Sequence, residues 1–548
     1  MLLTAAARVL PAALVVVACA AIDLAAFVDA RLYTLGGVHA WGAAVREALA
    51  NAEFKRQLAL GPPLWWRLAL WFALVVVIEA ALYVACARLA TRASAKTTRR
   101  ARFVVWATLA ASATVALAGR GAIASLAASP TSIVGLVPAH DLVFRHAPPA
   151  PMFTRAYPRV GGMPRLGRTP SILFVVVESL RADALGPTLM PRLDAFARAH
   201  GCIRPAHHYS SSHVTELAIF SLLYGLDGYD LAPFAGGVVD SFPLALLRAN
   251  GYRVAGASAS TLRHWAQSDF MLRQFDPYAE PDGRTGWQRD VALAAWARRF
   301  YATFDARTPS FLFLFFDATH VDYSYPPRFA VETPALDDDW LQKIGVAVAD
   351  VPPALRAPMQ RRYRNSVRFV DDAVGALLEE RAAALAAGTL AVVVVGDHGE
   401  AFWEHGAWGH VGAPTDPAAI EVPLIACLPG AAAPAVETSR HADVMPTLID
   451  YLKPSPPIAA AQFSSGRSLL GAPAADADCA LVTPKAFWSE RPELYVVAGG
   501  ARYWLRAGAN KKLALARVTD VDDRPLPSPP SLPACVAAAA ARFGAFLQ

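Results

Sequence analysis

Four short apolar runs constrain this chain more than anything else in it: SILFVVV at Ser171–Val177, SFLFLFF at Ser310–Phe316, LAVVVV at Leu390–Val395 and VPLIAC at Val422–Cys427. None alternates apolar with polar residues, so each reads as a strand buried on both faces. Helical patterns over Pro191–His200, Thr215–Leu223 and Tyr363–Ala384 separate them. Buried strands alternating with helices predict an α/β fold, a large mixed sheet between helices. The tail differs. Glu493–Val518 holds two strand-like runs around Gly499-Gly500 and ends in Asn510-Lys511-Lys512, which predicts a small antiparallel subdomain. No internal repeat is present.

Ahead of this region lie three longer apolar runs, about Val9–Val28, Leu64–Ala87 and Phe103–Gly119. Each approaches the ~20 residues that a helix needs to cross a bilayer. The 548 residues are 55% hydrophobic, too apolar for an ordinary soluble enzyme and too polar for a wholly embedded protein. The loop 92–102 carries Arg92, Lys96, Arg99, Arg100 and Arg102 without an acid, which places it in the cytoplasm and everything after about Ser129 outside. The first run also has features of a cleaved signal peptide, with Arg8 before it and small residues at 18–21. Asp23, Arg67 and Glu79 fall in or beside the runs and read as packing or snorkelling groups. The net charge of +6 fits membrane orientation and gives no reason to invoke nucleic acid. The expected organisation is a transmembrane region over 1–128, a Pro- and Gly-rich linker over 129–168, a catalytic domain over 169–455 and a C-terminal subdomain over 456–548. Oligomeric state is not legible. Of the six cysteines no pair has CxxC spacing, and Cys479 with Cys535 is a candidate disulfide only if that region faces an oxidising compartment.

Two strand ends carry the chemistry. Glu178 ends the first run in VVVESLRADAL, and Asp397 with His398 ends another in VVVVGDHGE. Ligands of open α/β sheets bind beyond the carboxyl ends of strands. Two carboxylates and an imidazole there suit a divalent ion such as Mn²⁺, Mg²⁺ or Zn²⁺. A lone strand-end acid would be an ordinary turn, but DHGE after four valines is more than that. In HHYSSSHVTELAIFSLLYGL, His207–Leu226, a hydroxyl-rich loop runs into an apolar helix. A hydroxyl at a helix start meets free N–H groups and the positive dipole end, which suits anion binding; plain N-capping is the blander reading.

Taken together with THVDYSYP, YRNSVRFVDDAVGALL, VVVVGDHGEAFWEHGAWGHVG, EVPLIACLPG and SRHADVMPTLID, the segment SILFVVVESLRADAL makes residues 171–450 resemble the alkaline phosphatase/sulfatase superfamily in its membrane-anchored branch. That branch includes arylsulfatases, phosphoethanolamine transferases, lipoteichoic acid synthases and an enterobacterial sulfatase-like protein linked to cardiolipin and lipopolysaccharide control. The resemblance implies metal ligation by Glu178, Asp397, His398 and Thr215. It implies Thr215 as nucleophile by its spacing from Tyr224-Gly225, with Ser212 as the alternative if the loop shifts. It implies substrate contacts by His320 and by His410, and leaves His405 a supporting role.

Departures sharpen this. The CxPxR motif of sulfatases is absent, and Cys202 is followed by Ile-Arg-Pro in the wrong order, which argues against a true sulfuric ester hydrolase. Ser179, not a second acid, follows Glu178, which fits one ion better than two. The expected function is metal-dependent hydrolysis or transfer of a phosphate-type ester, a phospholipid headgroup or lipid-linked group, at the outer face of a bacterial inner membrane. The alternative is an idle, lipid-binding regulator of envelope composition that keeps the fold.

Overall fold

The computed structural model of the protein describes residues 157–547 apart from 235–238, 265–268, 304–306, 339, 341–350, 411–414, 432–434, 472–478, 484–492, 508–512, 522 and 530, with a few residues between 69 and 81. The chain divides into two compact units, Met1–Pro149 and Ala150–Gln548. In the first, the described residues are helical, and Leu70, Leu74 and Val77 are exposed. No helix among the described residues is long and apolar enough to cross a membrane. The expected spans at 9–28 and 103–119 lie outside the described residues, and that at 64–87 and the linker at 129–168 fall within them only in part.

The second unit is built on a six-stranded sheet of β1 (Ser171–Val177), β2 (Arg253–Ser258), β3 (Tyr278–Ala279), β4 (Ser310–Phe316), β5 (Leu390–Gly396) and β6 (Leu424–Cys427). Its order is β6-β5-β1-β4-β2-β3, parallel except for β6, so the sheet is mixed as expected. The four apolar runs are all strands of it. β2, RVAGAS, is not legible as one, because its small residues lack the Val/Ile/Phe signal.

Helices cover both faces. Alternate residues Ile172, Phe174 and Val176 of β1 join a core with Leu217, Leu222 and Leu223 of α2 (Thr215–Tyr224), which follows α1 (Pro191–Ala199) in the chain. Leu173, Val175 and Val177 on the other face are equally buried. There α3 (Gly286–Thr303) packs on the sheet and on α4 (Pro353–Glu379). The pattern over Tyr363–Ala384 marks only part of α4, which starts ten positions earlier at Pro353 and ends at Glu379 before a separate short helix, Ala382–Ala386. Proline at the first helical position, where an N–H is free anyway, allows that early start.

The tail is a four-stranded antiparallel meander, β7 (Cys479–Val482), β8 (Glu493–Ala498), β9 (Ala501–Ala507) and β10 (Leu513–Asp520), closed on one face by α5 (Ala534–Leu547). Gly499 (φ +55°) and Gly500 (φ +72°) form the two-residue β8–β9 turn, where both positions need the left-handed region. Cys479 pairs with Cys535, stitching β7 to α5.

A second disulfide, Cys202–Cys427, has no signal in the cysteine spacing. Ile203 and Ala426 exchange backbone hydrogen bonds (2.8 and 3.0 Å), bringing the two cysteines to a Cα separation of 4.2 Å. The bond closes a chain separation of 225 residues, and a loop of that size constrains the unfolded state strongly. Replacing both cysteines by serine is expected to remove about 3–5 kcal/mol of stability, read as a lowered denaturant midpoint. An unchanged midpoint would mean that the pair is not oxidised in the folded protein.

Candidate active site and metal centre

Strand register assembles the site. Val177 of β1 is level with Gly396 of β5 and with Phe316 of β4. The three strands therefore end together, and the residues that follow, Glu178, Asp397 and the Asp317–His320 turn, meet at one edge. Backbone bonds continue one residue past the strands, from Glu178 N to Phe316 O (2.9 Å) and from Asp397 N to Val177 O (3.1 Å).

Glu178, Asp397 and His398 are buried and offer ligand atoms all within 4.8 Å of one another. His398 Nε2 lies 3.1 Å from Glu178 Oε1 and 3.4 Å from Asp397 Oδ2. Its Nδ1 lies 3.0 Å from the Gly399 carbonyl, which fixes the proton there and turns Nε2 toward the carboxylates. Asp397 Oδ1 accepts from the N–H groups of Ser179 (2.9 Å) and His398 (2.6 Å), whereas Oδ2 is enclosed and accepts no hydrogen bond. Burial and the Asp397 charge push the Glu178 carboxyl up to about 8. Burial alone would pull His398 down, but the two carboxylates outweigh it and carry the imidazole up to about 10. Two converging carboxylates facing an imidazole nitrogen call for positive charge at their centre, and Asp397 Oδ2, 3.4 Å from His398 Nε2 but without a hydrogen bond among the described residues, has room for a further bond. The donor set of oxygens and one nitrogen fits a divalent ion.

Thr215 joins this cluster. It is the first residue of α2, and its Oγ1 lies 3.3 Å from each Glu178 oxygen and 3.3 Å from His398 Nε2. Ser212 does not: its Oγ donates to the Thr483 carbonyl (2.8 Å). Ser210 braces the loop from beneath, donating to the Asp397 carbonyl (2.5 Å).

Both expected histidines are present. Ala401–Phe402 pairs antiparallel with Trp408–Gly409, and this hairpin returns the chain so that the His410 ring centroid is 4.2 Å from that of His398 and 5.7 Å from that of His320. Burial, and then the neighbouring histidines, hold His320 well below its ordinary value, so it is neutral. His405 stands apart, with Nδ1 3.0 Å from Asp416 Oδ2.

The residues that sequence reasoning missed are those that hold the others. Glu400, the last letter of DHGE, receives the Tyr323 hydroxyl on one oxygen and lies 2.7 Å from His410 Nδ1 with the other. Its signal was its place in the strand-end loop, but nothing local says which histidine it serves. Asp290 of α3 accepts from the N–H groups of Asp317 (2.8 Å) and Ala318 (3.0 Å), and Arg289 pairs with the Asp317 carboxylate. Thr319 donates to the Glu178 carbonyl (2.5 Å). Ser179 (φ 54°), Asp322 (φ 105°) and Tyr323 (φ 43°) occupy the left-handed region, a cost of about 1–3 kcal/mol each that the surrounding bonds sustain.

A sequence profile of the sulfatase family matches residues 170–454, just over half of the chain. Among solved structures, the phosphonate monoester hydrolase of Agrobacterium radiobacter is similar with a TM-score of 0.51 and 16% identity, covering 69% of this chain and 94% of that one. BT4656, solved in complex with its substrate D-glucosamine-2-N,6-O-disulfate, is similar with a TM-score of 0.51 and 16% identity, over 65% of this chain and 93% of that one. A lipoteichoic acid synthase from Listeria monocytogenes aligns with a TM-score of 0.44 and 12% identity, over 69% and 91%. No curated protein sequence matches the chain. The two similarities above 0.5 agree with the mixed α/β fold described above.

Proposed function

Because the chain belongs to the sulfatase family, enzymes that hydrolyse or transfer sulfate and phosphate esters, we propose that it acts on a phosphate-type ester through Thr215, with a single divalent ion held by Glu178, Asp397, His398 and Thr215. The observation that carries this reading is the Thr215 hydroxyl standing 3.3 Å from Glu178 and His398, at a helix start, where a sulfatase nucleophile would be a modified cysteine. Cys202 is tied to Cys427 and takes no part. A bound ion would supply Lewis-acid screening of the ester's charge and ease ionisation of the hydroxyl. Thr215 Oγ1 forms a bond to phosphorus as the bond to the leaving oxygen breaks, and water or an acceptor hydroxyl later displaces it. His410, held through Nδ1 by Glu400, presents Nε2 to the ester, and neutral His320 beside it binds a non-bridging oxygen. The idle-regulator alternative leaves this convergence without a purpose.

The substrate is a phospholipid headgroup or lipid-linked group at the outer face of a bacterial inner membrane. Three apolar runs and the basic loop at 92–102 support that placement. Two disulfides support an oxidising compartment for the second unit. The test is mass spectrometry of the protein after incubation with membrane phospholipid extract and Mn²⁺ or Zn²⁺. A phosphorus-containing adduct on the peptide bearing Thr215 is expected, and its mass names the group transferred. An adduct on any other residue overturns the assignment.

A further inference from the structure

Buried cations in proteins are paired, because an isolated charge away from water is costly. Arg502 on β9 departs from this. It is 2% exposed, and among the described residues neither Nε nor Nη1 has a hydrogen-bond partner. Arg502 lies opposite Val497 of β8 and Thr519 of β10. Its strand neighbour Tyr503 belongs to the core under α5, so Arg502 faces the other way.

Two residues on, Trp504 shares that face with its cross-strand partner Tyr495, the rings meeting edge to face at 6.2 Å. Among the described residues, Trp504 Nε1 and Tyr495 Oη are also enclosed without a hydrogen-bond partner. Tyr209, from the strand before the Thr215 loop, packs into the same cluster. Burial raises the hydroxyls of Tyr209 and Tyr495, and the Arg502 charge opposes the rise in each. The acids whose charge reaches these tyrosines are engaged elsewhere: Glu421 lies 2.7 Å from His207 Nδ1, and Asp523 pairs with Arg517 at 3.1 Å.

Every unpartnered atom here donates, and the guanidinium and indole do nothing else. A cluster of donors needs a ligand of acceptors. These donors suit an oxyanion, and the proposed reaction on phosphate esters, one loop away, makes the phosphate class the one to which the site would be exposed. We propose that this face of the C-terminal sheet is a second binding site that takes an oxyanion of the phosphate class on the Arg502 fork, with Trp504 and Tyr495 completing it. The site lies one loop from the nucleophile. Thr483, which follows β7, donates to the Ser211 carbonyl (2.8 Å) and accepts from Ser212 Oγ (2.8 Å).

The test is thermal unfolding of the full chain in detergent, chelator-treated, as the unchanged protein and as Arg502→Met. Inorganic phosphate and dihexanoyl phosphatidic acid are titrated separately in an otherwise chloride buffer, and the Arg502-dependent part of the shift is read, so that binding at the Thr215 site cancels. In the unchanged protein one of the two ligands is expected to raise the melting temperature by about 2 °C or more, and Arg502→Met to lose that increment while melting no lower than the unchanged protein without ligand. A response to inorganic phosphate assigns a free anion, and a response to the lipid alone assigns a headgroup. Equal shifts in both proteins, or none, overturn the site. Should Arg502→Met fail to fold, Arg502→Lys keeps the charge without the fork, and the proposal then requires a weaker phosphate response. Turnover at Thr215 is untouched by either result.

Discussion

Thr215→Ala protein is expected to fold normally and to lose turnover by about 10⁴-fold or more. The two halves of that expectation have separate physical grounds. Catalysis falls because the variant has no atom to form the covalent bond, and the hydroxyl nearest in sequence, Ser212, spends its proton on the Thr483 carbonyl. Stability holds because Thr215 is not the capping residue. Val214 stands at the cap of α2 without a side-chain bond, and alanine suits the first helical position at least as well as threonine. The hydroxyl's neighbours, Glu178 and His398, keep each other at 3.1 Å. A melting temperature within a few degrees of the unchanged protein, with turnover of a phosphate-ester substrate gone, is the predicted pair of results. Ser212→Ala is the control. Turnover surviving in Thr215→Ala but not in Ser212→Ala would move the nucleophile to the loop's other hydroxyl.

Asp397→Asn is expected to weaken both the metal-free and the metal-loaded protein, and the second far more. Without metal, two enclosed carboxylates share one imidazole, and Asp397 Oδ2 accepts nothing. An asparagine oxygen still accepts from the N–H groups of Ser179 and His398, while its amide replaces Oδ2 with a donor 3.4 Å from His398 Nε2. Removing the charge that does most to hold the buried His398 imidazole protonated is expected to destabilise the chelated protein by about 1–2 kcal/mol. With metal the gap widens. The unchanged protein gains about 4 kcal/mol at a free-ion concentration a thousandfold above its dissociation constant, and the variant, lacking an anionic ligand, gains little. Unfolding with and without chelator, together with metal content, reads both arms. A metal-induced gain of equal size in the two proteins would place the ion elsewhere.

Much of this site was legible because its parts are local. Glu178 and the Asp397-His398 pair each follow a run of valines, and a strand long enough to be buried carries whatever follows it to the sheet edge. The Thr215 position came from spacing within one helix. His320 and His410 came from motifs of a few residues. What was not legible depends on contacts between distant segments. Glu400 sits beside its motif, yet its partners Tyr323 and His410 are 77 and 10 residues away. Asp290 supports the His320 turn from a helix whose own sequence gives no hint of it. Cys202 and Cys427, 225 residues apart, meet only because an edge strand pairs with the segment after α1.

The amino-acid sequence by itself determined the α/β class, the central strands and the identity of the groups that converge, because burial on both faces and strand-end position are properties of short segments. The tertiary structure alone decided that β1, β4 and β5 end level, that Thr215 rather than Ser212 reaches the carboxylates, and that a guanidinium on β9 is enclosed with two nitrogens that find no hydrogen-bond partner among the described residues. Each of these is a matter of register and facing between segments far apart in the chain, and hydrogen-bond geometry across a sheet settles it, not the composition of either strand.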